Sequence, residues 1–512
     1  MRLIAIIKKH PLLLSSILIV TPILIILTSY YLNRLGAFGC FDDCNNFMRG
    51  YFVLKGRTLF SEVFSGHMPM MSYLSTLIQW ATSPNSIYQL LLFHTIFLIG
   101  VSVVSWIILI FRFRWISLGF IIFYELFKLY LFGDRFLAEG VIVYPLVYMT
   151  GLVWLKLNGK EIFKLEYLLV AVATWFVIFM REPYIPLVLF LYLLILWGGK
   201  ELKIKIISVS IFILLSTAFL LAHPLSDFIL NVYTINKINI ASEINDTGIK
   251  GIGFLKIFFY PVFIFTSGEF NIMRLILIIL SSVFFLLLSQ IFQAKKLIIL
   301  IIILILGLAN LRYTEPGTIF YSAYHLLIWY GLFVMFVFLM LSEVKSKKIR
   351  KLLLAILGVG FLITFINPNN VLWQRVDTDK EIHDGYANYS INGRVIRTLA
   401  NENSTLFVDG SEDLIYWRAD LKPAYKYSWY TSLMPFYKPF VDARLEMFRQ
   451  YPPDFYYGNC RKGYILPDFI KDEYINLKKN GKKSCLYIKK DQISLVSDNA
   501  WKSAKELGFS LE

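Results

Sequence analysis

The sequence predicts an α-helical polytopic membrane protein, with about 11 transmembrane helices and a C-terminal extracytoplasmic α/β domain. Composition is the first of three observations behind that expectation. Of 512 residues, 57% are hydrophobic and 17% aromatic, and a mean hydropathy of +0.61 leaves too little polar surface for a soluble chain. The second observation is a series of long apolar runs, and the third is the distribution of charge between them.

The formal net charge of +16 raises the question of a nucleic-acid partner, and its location answers it. From residue 367 onward 21 Lys and Arg face 19 Asp and Glu, whereas residues 1–366 hold 30 against 16. The excess belongs to the apolar part, so no nucleic-acid partner is inferred.

Taken in order, the chain opens with Arg2, Lys8 and Lys9 ahead of an apolar run from Pro11 to Leu32. At about 1.5 Å per residue this run crosses a hydrocarbon core of roughly 30 Å. No small-residue cleavage site follows it, so a retained signal anchor is expected. Further spans are expected at 86–110, 115–132, 140–157, 166–180, 183–198, 204–222, 272–292, 297–311, 318–341 and 352–366. With the N-terminus cytoplasmic, the inner segments receive 18 basic and four acidic residues, and the opposite side of this part receives 12 of each. That contrast follows the positive-inside rule and predicts a multi-pass cell-membrane protein with an extracytoplasmic C-terminal domain.

Residues 1–366 are thus expected as the transmembrane domain, with a first outer loop at 33–85 and a second long outer loop at 223–271. The stretch FLKIFFYPVFIF in the second loop is too short to span and predicts an interfacial or re-entrant helix. Residues 367–512 suffice for one compact α/β domain, with strands at TLFVDG, DFYYGNC and CLYIKK and helices at 438–450 and 498–508. All four cysteines fall outside the membrane in this topology, where disulfides persist. Cys460 with Cys485 is a plausible pair, and Cys40 with Cys44 is left open because spacing does not fix geometry. Zinc spacings, a Walker loop and a dinucleotide fingerprint are absent from the sequence.

The first outer loop begins GCFDDCNNFMRGYFVLKGRTLFSEVFSGHMP. An adjacent acid pair at a membrane exit is ordinarily solvated loop charge. Here basic and aromatic residues follow it, a mixture suited to the headgroup layer, which would keep Asp42 and Asp43 near the bilayer surface. A carboxylate within hydrogen-bond reach of an acceptor hydroxyl or amine can take its proton as attack proceeds, and either aspartate can do so.

The run Asp43, Gly50, Leu54, Gly56, Leu59, Phe60, Phe64, His67 and Pro69 resembles a first-loop motif of the polytopic GT-C class glycosyltransferases, in particular the protein O-mannosyltransferase and aminoarabinose transferase-like superfamily. The layout is similar as well: an acidic first outer loop, a long later outer loop and an outer C-terminal domain. The resemblance implies a GT-C-like fold and an inverting transfer with a first-loop aspartate as base. Motif register favours Asp43, with Asp42 close behind. It also makes Asp134 and Glu139, in the next outer loop, secondary candidates for acceptor positioning or metal contact.

A polyprenyl-phosphate sugar is the donor that suits an outer site, since its tail stays in lipid while its head reaches that face. Arginines at the outer edge, Arg135, Arg181 and Arg312, are candidates for its phosphate, because a guanidinium offers two donors at once. The alternatives are snorkelling for the arginines and a local salt bridge to Arg135 for Asp134 and Glu139. His67 is a candidate for donor or acceptor contact, or a loop hydrogen-bonder. The acceptor is a lipid, a glycan or a protein. No nucleotide cofactor is implied, and a divalent metal is left open. Competing functions are a lipid-linked glycan transporter or flippase and a glycan polymerase or ligase.

Overall fold

The computed structural model describes residues 11–40, 42–198, 201–235, 271–292, 296–311, 323–410, 412, 414–427, 438–458 and 468–511. The helices α1 (Pro11–Asn33), α2 (Asp42–Leu54), α3 (Met70–Thr82), α4 (Ile87–Phe113), α5 (Trp115–Phe127), α6 (Ala138–Leu157) and α7 (Lys164–Met180) come first. They are followed by α8 (Ile185–Leu196), α9 (Leu202–Leu221), α10 (Leu225–Ile229), α11 (Asn271–Phe292), α12 (Lys296–Ala309), α13 (Leu327–Glu343) and α14 (Lys347–Phe365). Beyond these the C-terminal region mixes helices with six short strands.

Among the described residues six helical stretches are long and apolar enough to cross a membrane: Ser15–Asn33, Ile87–Phe113, Ala138–Leu157, Leu202–Leu221, Asn271–Gln290 and Ala323–Glu343. The other expected spans fall on shorter helices, α5, α7, α8 and α12, and on α14, whose first turn is basic. The six differ in what covers them. Ala323–Glu343 is buried almost throughout, whereas on Leu202–Leu221 Lys205 and Ser208 are buried and the apolar residues are half-buried or exposed. An apolar helix so thinly covered by its own chain suits an apolar solvent, which is what a bilayer supplies.

By its packing the chain divides into two compact units. The first comprises Met1–Arg34, Thr95–Ala222 and Ile238–Val376 and holds most of the long apolar helices. The second comprises Leu35–His94, His223–Lys237 and Asp377–Glu512. Residues 35–85, expected from sequence to be a loop of the membrane domain, thus fold together with the polar tail.

Specific contacts explain that grouping. The Tyr386 hydroxyl donates to the Gly39 carbonyl at 2.8 Å, and Trp417 Nε1 donates to Gln79 Oε1 at 3.1 Å. Tyr51 on α2 and Lys55, just past its end, both bind Asp420, at 2.7 and 2.6 Å. Phe64, Ile235 and Phe440 form one buried apolar cluster, tying the start of the second long loop into the same core. Gly39 has a positive φ of 65°, and a Cβ on the facing Gly385 would lie 2.7 Å from the Gly39 Cα. The two backbones meet there because neither residue carries a side chain.

The tail begins with α15 (Thr378–Leu399), capped by Asp377, whose carboxylate accepts from the Lys380 N–H at 3.1 Å. Acids fill its first turn and Arg397 its last, as the helix dipole favours. The strands are β1 (Thr405–Val408), β2 (Lys422–Pro423), β3 (Phe455–Tyr457), β4 (Tyr474–Lys479), β5 (Lys482–Lys489) and β6 (Phe509–Ser510). They form one mixed sheet in the order β2-β1-β3-β5-β4-β6, parallel from β2 to β3 and antiparallel beyond. Asn480 and Gly481, both at positive φ, make the two-residue turn that joins β4 to β5. Helices α16 (Leu414–Ala419), α17 (Lys438–Gln450) and α18 (Asp468–Glu473) connect the strands.

Cys40 and Cys44 form a disulfide. Cys485 is disulfide-bonded as well, while its expected partner Cys460 lies outside the described residues. So does the expected interfacial helix in the second long outer loop, of which α10 and a π-helical turn at Leu230–Ile235 are described.

Candidate functional site

The acid pair opens α2, and the helix start explains its position. Carboxylates in the first turn face the positive end of the helix dipole, and a Cys40–Cys44 bridge closes the turn that leads into it. The two aspartates nevertheless differ. Asp42 is exposed, with Asn45 Nδ2 at 3.5 Å from its Oδ1. Asp43 is buried, and its Oδ1 accepts from the Cys44 N–H at 2.9 Å.

Two turns further on, Arg49 is also buried. Its guanidinium donates to the Asn45 carbonyl, the Asn46 side chain and the Ser65 hydroxyl, at 3.0, 2.9 and 2.7 Å. Ser65 in turn donates to the His67 carbonyl at 2.9 Å, so Arg49 braces the loop that carries His67. The His67 side chain is half-buried. Residues 223–235 bind the same stretch: Asp227 accepts from Ser61 at 2.5 Å, Asn231 donates to the Phe60 carbonyl, and His223 bonds the Tyr73 hydroxyl at 2.6 Å.

Many positions of the first-loop motif have a role in this folding. At Gly50 a Cβ would meet Ser75 at 2.6 Å, so glycine there lets α2 and α3 approach closely. Gly56 stands at a positive φ of 83°, and Leu59, Phe60 and Phe64 are core residues. Asp43 and His67 are the motif positions that bring chemistry.

Four candidates belong to the first unit. Arg181 Nε donates to Glu139 Oε1 at 3.0 Å with both side chains buried, so two residues 42 apart meet as an ion pair. Glu139, a candidate for acceptor positioning with a salt bridge to Arg135 as the alternative, thus has Arg181 as a partner. Asp134 is half-buried and Arg135 buried. Burial pushes the Asp134 carboxyl above its ordinary range, against the opposing charges of Arg135, Arg34 and Lys128. Arg312 lies outside the described residues.

The structure adds a polar cluster in the same unit. Glu125 and Lys128 pair at 2.5 Å with almost no exposure. Trp106 Nε1 and the Tyr144 hydroxyl each donate to Glu125 Oε1 at 2.7 Å, and Lys128 Nζ reaches the Ser102 and Tyr144 hydroxyls. In sequence, Glu125 and Lys128 stand out as charges at a span end, but nothing there announces Ser102, Trp106 or Tyr144. In the tail, the buried Asp409 at the end of β1 binds both Arg444 and the Tyr456 hydroxyl.

Among the described residues no group of three or more His, Cys, Asp and Glu side chains stands close enough to hold a metal ion. No family model matches the sequence, and neither a curated protein nor a solved structure matches it.

Proposed function

We propose that this protein is an inverting glycosyltransferase of GT-C type. In this reading it moves a sugar from a polyprenyl-phosphate-linked donor to a lipid, glycan or protein acceptor at the extracytoplasmic membrane face. About 11 spans place the N-terminus in the cytoplasm and the polar tail outside. The single observation that carries the reading is Asp43: a buried carboxylate at the head of α2, accepting from a backbone N–H beside the Cys40–Cys44 disulfide.

A carboxylate so held is a suitable general base. It takes the proton of an acceptor hydroxyl or amine as that atom bonds to the anomeric carbon from the face opposite the phosphate. The bond from that carbon to the phosphate oxygen breaks, and the lipid phosphate leaves with the electron pair. One displacement inverts the anomeric centre. The charge gathering on the phosphate calls for cations, for which Arg135, Arg181 and Arg312 are the candidates.

The test is transfer of a radiolabelled monosaccharide from polyprenyl phosphate in membranes that carry the wild type, Asp43→Asn or Asp42→Asn at matched levels. Asp43→Asn is expected to lower the rate at least about a hundredfold, and Asp42→Asn, at an exposed position, far less. Equal transfer by all three would remove the first-loop acids from the chemistry. Absence of transfer by the wild type across donors would favour the flippase or polymerase readings.

A further inference from the structure

Between α13 and α14 the chain runs Glu343-Val344-Lys345-Ser346-Lys347-Lys348-Ile349-Arg350-Lys351, with five cations in the seven residues from Lys345. All five side chains are exposed, and among the described residues none of them forms an ion pair. Four lie at the start of α14, where the backbone N–H groups already concentrate positive charge. Ser346 caps the helix by accepting from the Ile349 N–H at 3.4 Å. A helix start so loaded breaks a local rule that sequences otherwise keep, and such breaks mark places where something outside the chain supplies the missing term.

The rest of α14 says what that is. Directly after the cations the helix exposes Leu352, Leu354, Val359, Leu362 and Ile363, an apolar face left uncovered within its unit. Charge and grease follow one another along one helix in the order in which phosphate and acyl chain follow one another in a phospholipid. A soluble acidic partner or a nucleic acid would be matched by the charge alone.

We propose that residues 345–351 form a binding site for the headgroups of anionic phospholipids, which neutralise the turn between α13 and α14. The attraction of a polybasic turn to anionic lipid is electrostatic and falls with ionic strength.

The experiment uses the full chain purified in neutral detergent. Phosphatidylglycerol, phosphatidylcholine or soluble glycerol 3-phosphate is added, and lipid retained in native mass spectrometry and the thermal midpoint are read. Phosphatidylglycerol is expected to be retained and to raise the midpoint, with release by added NaCl, while the other two have little effect. Replacing all five cations by Gln is expected to weaken apparent phosphatidylglycerol affinity at least about tenfold. Lys347→Gln/Lys348→Gln serves as a milder variant with a smaller loss, and Lys482→Gln/Lys483→Gln, at the exposed β4–β5 turn, leaves retention unchanged. Unaltered affinity in both α14 variants, retention indifferent to salt, or an equal effect of glycerol 3-phosphate would overturn the proposal.

Discussion

Arg181 donates through Nε to a Glu139 carboxylate oxygen at 3.0 Å, and both side chains are buried. Residues chosen by sequence for two separate tasks, phosphate binding and acceptor positioning, are therefore partners. Removing one takes from the other a buried partner of opposite charge. Glu139→Ala is expected to cost about 3–5 kcal/mol, and Arg181→Met/Glu139→Leu less than that single change. Denaturant unfolding in mixed micelles measures both; a double variant weaker than the single one would show that the pair is not coupled.

The Glu125–Lys128 cluster obeys the same logic with more donors at stake. Lys128→Ala strands the Glu125 carboxylate, whereas Glu125→Ala leaves Trp106 Nε1 and the Tyr144 hydroxyl without their acceptor as well as Lys128 without its counter-ion. Glu125→Ala is expected to be the more harmful of the two, by about 1–3 kcal/mol for the orphaned donors. Thermal unfolding of the two variants side by side decides it.

Asp420 predicts a pH dependence. Burial alone would raise its carboxyl, but hydrogen bonds from Lys55 and Tyr51, with the charges of Lys55 and Arg397, outweigh that effect and hold it below the usual range. A folded-state value below the unfolded one gives stability that is present above about pH 4 and is lost as pH falls through the folded value. The wild type is therefore expected to lose stability more steeply than Asp420→Asn below about pH 4. Parallel acid limbs in the two unfolding profiles would contradict this.

The contact between Gly39 and Gly385 leaves no room for a methyl group. Gly385→Ala is expected to destabilise by about 1–3 kcal/mol, because the obstacle is backbone and cannot rotate aside. Gly358 on α14, with nothing within 4 Å of its Cβ position, is expected to tolerate the same change. Expression level and thermal midpoint of the two alanine variants provide the comparison.

Much of this architecture is legible in the sequence because it depends on local hydropathy. A run such as PLLLSSILIVTPILIILTSYYLN declares its helix by length and composition alone. Strands β1, β3 and β5 and helices α17 and α19 (Asp498–Glu506) fall where alternation and periodicity place them. Helix α15 escaped that reading because its sequence, TDKEIHDGYANYSINGRVIRTL, is polar on most faces. Its caps and its packing, such as Tyr386 against Gly39, explain its stability better than its pattern does.

The site was legible only as residue types. The sequence by itself determined that an acid pair follows the first apolar run, and that cations cluster on one set of loops, because both are properties of neighbours along the chain. Tertiary structure alone decided that Asp43 is buried and Asp42 exposed, that Arg181 meets Glu139, and that the first loop folds with the polar tail. The physical reason is one of range. Hydropathy and helix start signals act over a few residues, whereas burial and ion pairing are set by side chains tens to hundreds of positions away, as Asp420 is from Tyr51.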